Sequence, residues 1–177
     1  MQIQFRKLQP KESNSYREIR LECLKNFPEN FGSNYQDEKA KDVLFFQPHI
    51  EKQNTNNFII GAFNNNNLVG ISGFNRYESE KTKHRGRIIQ VYVKLEYQGQ
   101  HIGSNIIKAT IEEAFKISGI EQIEINVLTN NVNAEKLYNK LGFEAYGVQE
   151  NYIKIDNKYY DQKMMLLYKT VYHSKYN

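Results

Sequence analysis

The sequence predicts a mixed α/β fold, a central mixed twisted sheet with flanking helices, in the order β-α-α-β-β-β-α-β-α-β-β. Three observations predict it. Apolar runs of strand length alternate along the chain with runs whose apolar residues recur at helical spacing. A strand-like run, the glycine-bearing segment YQGQHIGS (97–104) and a helical run follow one another into a further strand, which makes a β-α-β unit with two parallel strands. At 177 residues the chain is expected to form one domain, 1–177, with a core that needs no staples.

The elements follow in order. IQFRKL (3–8) reads as the opening strand. Tyr16, Ile19, Cys23, Leu24 and Phe27 then form a helical stripe that ends at the turn signal PENFG. Ser33 and Gln36 stand at capping-box spacing for a second helix, expected to stop near Pro48. FIIGAF (58–63) and LVGISGF (68–74) read as strands, and the four asparagines 64–67 between them as a hairpin turn. RIIQVYV (87–93) is the next strand. The helix after YQGQHIGS begins near Ser104, carries Ile107, Ile111, Ala114 and Phe115 on one face, and is expected to close at Gly119. IEINVL (123–128) alternates as a strand; Ala134, Leu137, Tyr138 and Leu141 mark a short helix stopped by Gly142; FEAYGV and DQKMMLLYK supply the last two strands.

Composition narrows the function classes. The net charge is +4 with a pI near 9.0, but the basic residues are spread among acidic neighbours, which argues for a solvated surface and against a nucleic-acid face. No apolar run approaches the roughly 20 residues of a membrane span, and MQIQFRKLQPKES lacks an apolar signal region. The single cysteine, Cys23, cannot form an intrachain disulfide and falls on the apolar stripe of the first helix, as a small core residue would. A soluble protein of a reducing, cytoplasmic setting is expected. The sequence leaves the oligomeric state open, a homodimer included.

The segment 97–104 points to a ligand. Its helix begins at the carboxyl end of a strand, so the free N–H groups of the first turn and the positive end of the helix dipole converge on one point, which suits phosphate. Gly99 and Gly103 let backbone come close. A second constellation, NNVNAEKLYNKLGF (130–143), follows about one helix and one strand later. Together the two segments resemble the GCN5-related N-acetyltransferase (GNAT) superfamily, whose Q/R-x-x-G-x-G/A loop binds acetyl-coenzyme A and whose later N-x-x-A-x-x-L-Y-x-x-x-G-F segment carries an active-site tyrosine. RLECLKNFPENFGS resembles the acceptor-side helices of bacterial members, and NYIKIDNKYYDQKMMLLYK their closing strand pair, so nearly the whole chain takes part. The resemblance implies a single-domain acetyltransferase fold and transfer of acetyl from acetyl-coenzyme A to an amine of a small molecule or a protein, with no metal.

Carried over residue by residue, the resemblance assigns cofactor binding to Gln98, Gly99, Gln100, His101, Ile102, Gly103 and Ser104. His101 stands where the family has its middle glycine; the substitution is expected to be tolerated, at little cost if φ is negative there, as in a forming helix turn. In the family the strand before this loop splays from its parallel neighbour. Val91, Tyr92 and Val93 are therefore the candidates for backbone contacts to the pantetheine arm and for the oxyanion donor. Tyr138 matches the family tyrosine, a proton donor to the departing thiolate, although its helical spacing also suits a core residue. Asn131 caps the short helix or steadies the loop beside the cofactor. The base that frees the amine is Glu22, His84 or a water chain. Two rival readings are a coenzyme-A-binding module without catalysis and, more distantly, a nucleic-acid-binding domain.

Overall fold

The structure is a computed structural model that describes residues 2–176; Met1 and Asn177 lie outside the described residues. Its elements are β1 (Ile3–Lys7), α1 (Ser13–Asn26), α2 (Tyr35–Ala40), α3 (Gln47–Glu51), β2 (Asn57–Asn64), β3 (Asn67–Arg76), β4 (Arg85–Val93), α4 (Ile102–Phe115), β5 (Gln122–Leu128), α5 (Val132–Leu141), β6 (Glu144–Ile155), β7 (Lys158–Tyr168) and α6 (Lys169–Tyr176). Every element of the expected order is present, and α3 and α6 are additions to it. The strands form one seven-stranded sheet in the order β1-β2-β3-β4-β5-β7-β6. Only β4 and β5 are parallel, as the β-α-β unit required.

Two boundaries differ from expectation for local reasons. The cap of α2 is Asn34, whose side-chain oxygen accepts from the Asp37 N–H at 2.8 Å, so the helix starts one residue past the Ser33–Gln36 box. It ends at Ala40, well before Pro48, which instead lies in the first turn of α3, where a missing N–H costs nothing. Helix α4 starts at Ile102, two residues ahead of Ser104, and ends at Phe115; Gly119 takes its left-handed φ of +80° four residues beyond. The hairpin between β2 and β3 turns at Asn65, with φ +56°, a conformation asparagine tolerates.

Helices cover both faces of the sheet. On one, Tyr16, Ile19 and Cys23 of α1, with Phe46 and Ile50, pack against Ile59, Phe63, Ile71 and Tyr92. On the other, Ile106, Ile107 and Ile111 of α4 pack against Phe58, Ile60, Ala62 and Ile88, and Tyr138, Leu141 and Phe143 extend the same cluster. Each fully buried Ile or Phe contributes on the order of 1.5–3 kcal/mol, so the apolar stripes read in the sequence hold α1 and α4 in place. Cys23 is buried, and burial pushes its thiol up to about 12, which makes it inert as a nucleophile. No helix among the described residues is long and apolar enough to cross a membrane.

Candidate active site

The parallel strands part company. β4 and β5 pair from Arg85↔Gln122 to Ile88↔Ile125 and no further, although β4 continues to Val93 and β5 to Leu128. A cleft of about 750 Å³ opens where they separate, lined by Val91, Tyr92, Val93, Gln98, Gly103, Asn131 and Tyr138 among others. Seven residues singled out in the sequence thus meet in one cavity.

A bulge in β4 sets the geometry of its wall. Ile71 of β3 faces Tyr92 and Gly73 faces Ile89, so Gln90 and Val91 together stand opposite Ser72. Gln90 takes φ +57°, a left-handed conformation that costs a non-glycine residue about 1–2 kcal/mol. The Tyr16 hydroxyl donates to Gln90 Oε1 at 2.9 Å and ties the bulge to α1. Such a bulge takes backbone groups out of the ladder, and Gln90 and Val91 both line the cleft.

Beyond the strand, Gln98 Nε2 donates to the Val93 carbonyl at 3.0 Å and fastens the loop to the strand end. Gly99 has φ +76°. His101, the residue before α4, has φ +60°, so the negative φ that would make the substitution cheap does not occur. The position of the family's middle glycine demands left-handed backbone, and His101 pays for it in strain. The Ser104 hydroxyl donates to the His101 carbonyl at 2.7 Å. Ile102 is buried in the core by its side chain, so only its N–H belongs to the helix start. His101→Gly should therefore raise stability by about 0.5–1 kcal/mol, a Tm gain of roughly 2 °C, while acetyl-coenzyme A affinity stays within about tenfold. A calorimetric scan that shows a lower Tm, or a hundredfold affinity loss, would make the imidazole itself the working group.

Asn131 caps α5, its side-chain oxygen accepting from the Ala134 N–H at 3.2 Å, and Gly142 ends that helix with φ +101°. Tyr138 projects from α5 into the cleft wall, its ring 6.1 Å from that of Phe143. Burial alone pushes its hydroxyl up to about 12.

Neither sequence-named base lines the cleft. Glu22 accepts from the Tyr92 hydroxyl at 2.8 Å and pairs with Lys94 at 3.2 Å. His84 precedes β4, about 20 Å along the strand from Val91, where its carbonyl accepts from the Glu121 and Gln122 N–H groups. The carboxylate that does line the cleft is Glu124 of β5, the only one among the described residues. It is 8% exposed, accepts from the Tyr77 hydroxyl at 2.8 Å and pairs with Arg85. Desolvation, then Glu124, drives the Tyr77 hydroxyl up to about 12. Arg20 of α1 also lines the cleft and is 3% exposed. No group of three or more metal-ligating side chains occurs among the described residues.

A parted parallel strand pair beside a helix start is the geometry the resemblance implied. The family model "Acetyltransferase (GNAT) family" matches residues 16–143. The chain belongs to this family. It is an acetyl-coenzyme-A-dependent N-acetyltransferase by that membership. Among GNAT relatives, a probable spermine N(1)-acetyltransferase of Bacillus subtilis subsp. natto is 24% identical over 113 residues, 62% of this chain and 67% of that protein. The GNAT fold recurs in an acetyltransferase of Streptococcus pneumoniae with a TM-score of 0.82 at 22% identity, covering 94% of this chain and 99% of that one. It recurs also in a putative acetyltransferase from Salmonella typhimurium, solved with its cofactor acetyl-CoA, with a TM-score of 0.76 at 16% identity, covering 95% and 94% of the two chains.

Proposed function

We propose that the cleft between β4 and β5 carries out acetyl transfer with the following division of labour. The N–H groups of Ile102, Gly103 and Ser104, at the start of α4, receive the pyrophosphate of acetyl-coenzyme A. The pantetheine arm runs along Val91–Val93 in the place a further strand would take. The thioester carbonyl meets the Val91 N–H, freed by the bulge, which stabilises the oxyanion as the amine attacks. The C–N bond forms, the tetrahedral intermediate collapses, and the C–S bond breaks as the Tyr138 hydroxyl supports the departing sulfur. The amine's proton leaves through water toward Glu124, the carboxylate that lines the cleft.

The observation that carries this reading is the end of β4–β5 pairing at Ile88↔Ile125 in a cavity that also holds Gly103 and Tyr138. The acceptor is a small-molecule amine or an amine of a protein; the Bacillus relative is named for spermine. Release of free thiol from acetyl-coenzyme A against a broad panel of amines tests it. Amine-dependent release is expected; cofactor binding without release from any amine would leave only a coenzyme-A-binding module. The reading extends to a cytoplasmic enzyme, in keeping with the buried thiol of Cys23. In a homodimer, the exposed Tyr146 and Val148 of edge strand β6 would be the face to cover, which sedimentation of wild type would detect.

A further inference from the structure

We infer that the acceptor carries a carboxylate close to its reacting amine, and that Arg20 receives that carboxylate. The inference rests on the acetyl-transfer reading and names its substrate class: free amino acids and amines of the same shape.

Arg20 is 3% exposed, yet no carboxylate of the described residues lies within ion-pair distance of it. Its Nε is buried without a partner, and its one hydrogen bond runs from Nη1 to Cys23 Sγ at 3.8 Å, a weak acceptor. The guanidinium lies 4.9 Å from the ring centroid of Phe31, which shares the cleft wall. A desolvated cation is costly unless an anion or a full set of acceptors meets it, and this one has neither within the protein. Its planar fork of donors suits a carboxylate held by two bonds.

The position agrees with the chemistry. Two contacts bracket Arg20 on α1: Tyr16 to Gln90, one helical turn before it, and Glu22 to Tyr92, just after it. Arg20 therefore stands at the level of the β4 bulge, where the thioester carbonyl is placed. A carboxylate on Arg20 leaves an amine one or two carbons away within reach of that carbonyl. Spermine, which carries no carboxylate and several positive charges, would meet Arg20 with like charge.

The test pairs free amino acids with their carboxamides and adds spermine, with kcat and KM measured by thiol release. The wild type should prefer the carboxylate members at least tenfold. Arg20→Gln should lower their kcat/KM between about tenfold and a hundredfold, chiefly through KM, and change the carboxamides less than threefold. Arg20→Lys should restore part of the loss. Acetyl-coenzyme A should raise the Tm of both variants as it does the wild type. Equal losses for both members of each pair would reduce Arg20 to a packing residue and overturn the inference. So would a wild-type preference for carboxamides or spermine, which would leave the acetyl-transfer reading intact. Absence of any Tm gain with acetyl-coenzyme A would overturn that reading and this inference together. Should Arg20→Gln not fold, the wild-type ratio and that of Arg20→Lys decide in the same way.

Discussion

Tyr138→Phe is expected to lower kcat by about a hundredfold and to leave acetyl-coenzyme A affinity nearly unchanged. The ring stays, with nearly its whole volume, against Phe143. Burial alone accounts for the raised hydroxyl, and among the described residues no hydrogen bond to it contributes, so its removal should alter stability by less than about 0.5 kcal/mol. Its loss would fall on the step in which sulfur departs. General acid assistance is worth ~10²–10⁴-fold, and a thiol with a pKa near ~8.5 already leaves readily, which sets the effect toward the lower end. The sign of the pH dependence follows from the direction of the shift. A phenol raised to about 12 keeps its proton at every pH at which amines become free, so the wild-type rate should rise with pH and plateau, without a falling limb from Tyr138 below about pH 11. The Phe variant should show the same rising limb at a lower plateau. Wild-type turnover by a folded Tyr138→Phe enzyme would make Tyr138 a core residue.

Gly103→Asp should abolish the thermal shift that acetyl-coenzyme A gives the wild type. A Cβ at Gly103 meets nothing within 4 Å, so the side chain fits the folded protein. An acidic residue in the first turn of α4 even complements the helix dipole, worth about 0.3–1 kcal/mol, so the variant alone should melt no lower than wild type. Its carboxylate, however, stands where the pyrophosphate is placed. At a hundredfold excess over Kd the cofactor stabilises the wild type by about 2.7 kcal/mol, a Tm gain of roughly 5–10 °C for a chain of this size. The variant should gain close to none. A full shift in the variant would move the phosphate site away from α4.

Much of this was legible because it depends on local chemistry. Strand and helix periodicity gave the element order, and the glycines and asparagines that end or turn elements, such as Asn65 and Gly142, sit where left-handed backbone occurs. The candidate site residues on α4 and α5 could be named from the sequence because both motifs are short and contiguous. What escaped depends on tertiary context. Pro48 stops a helix in one setting and starts one in another, and only the packing of Phe46 and Ile50 decides for α3. The left-handed turn at Gln90 comes from the register shift in pairing with the neighbouring strand β3, with nothing local to announce it. Glu124 alternates with Ile123 and Ile125 as a solvent-facing residue would, yet the cleft and its partners Tyr77 and Arg85 bury it. Arg20 did leave a signal: it falls four residues after Tyr16 and three before Cys23, on the stripe that faces the core. A cation at a core position asks for an anion.

Hydrogen–deuterium exchange with and without acetyl-coenzyme A tests most directly whether the parted strands hold the cofactor. The account predicts slower exchange at Val91–Val93, where β4 has left β5, and at Ile102–Ser104, where α4 begins, with little change at His84. Saturating cofactor that leaves those two segments unchanged, or protects only the β6–β7 hairpin, would contradict it.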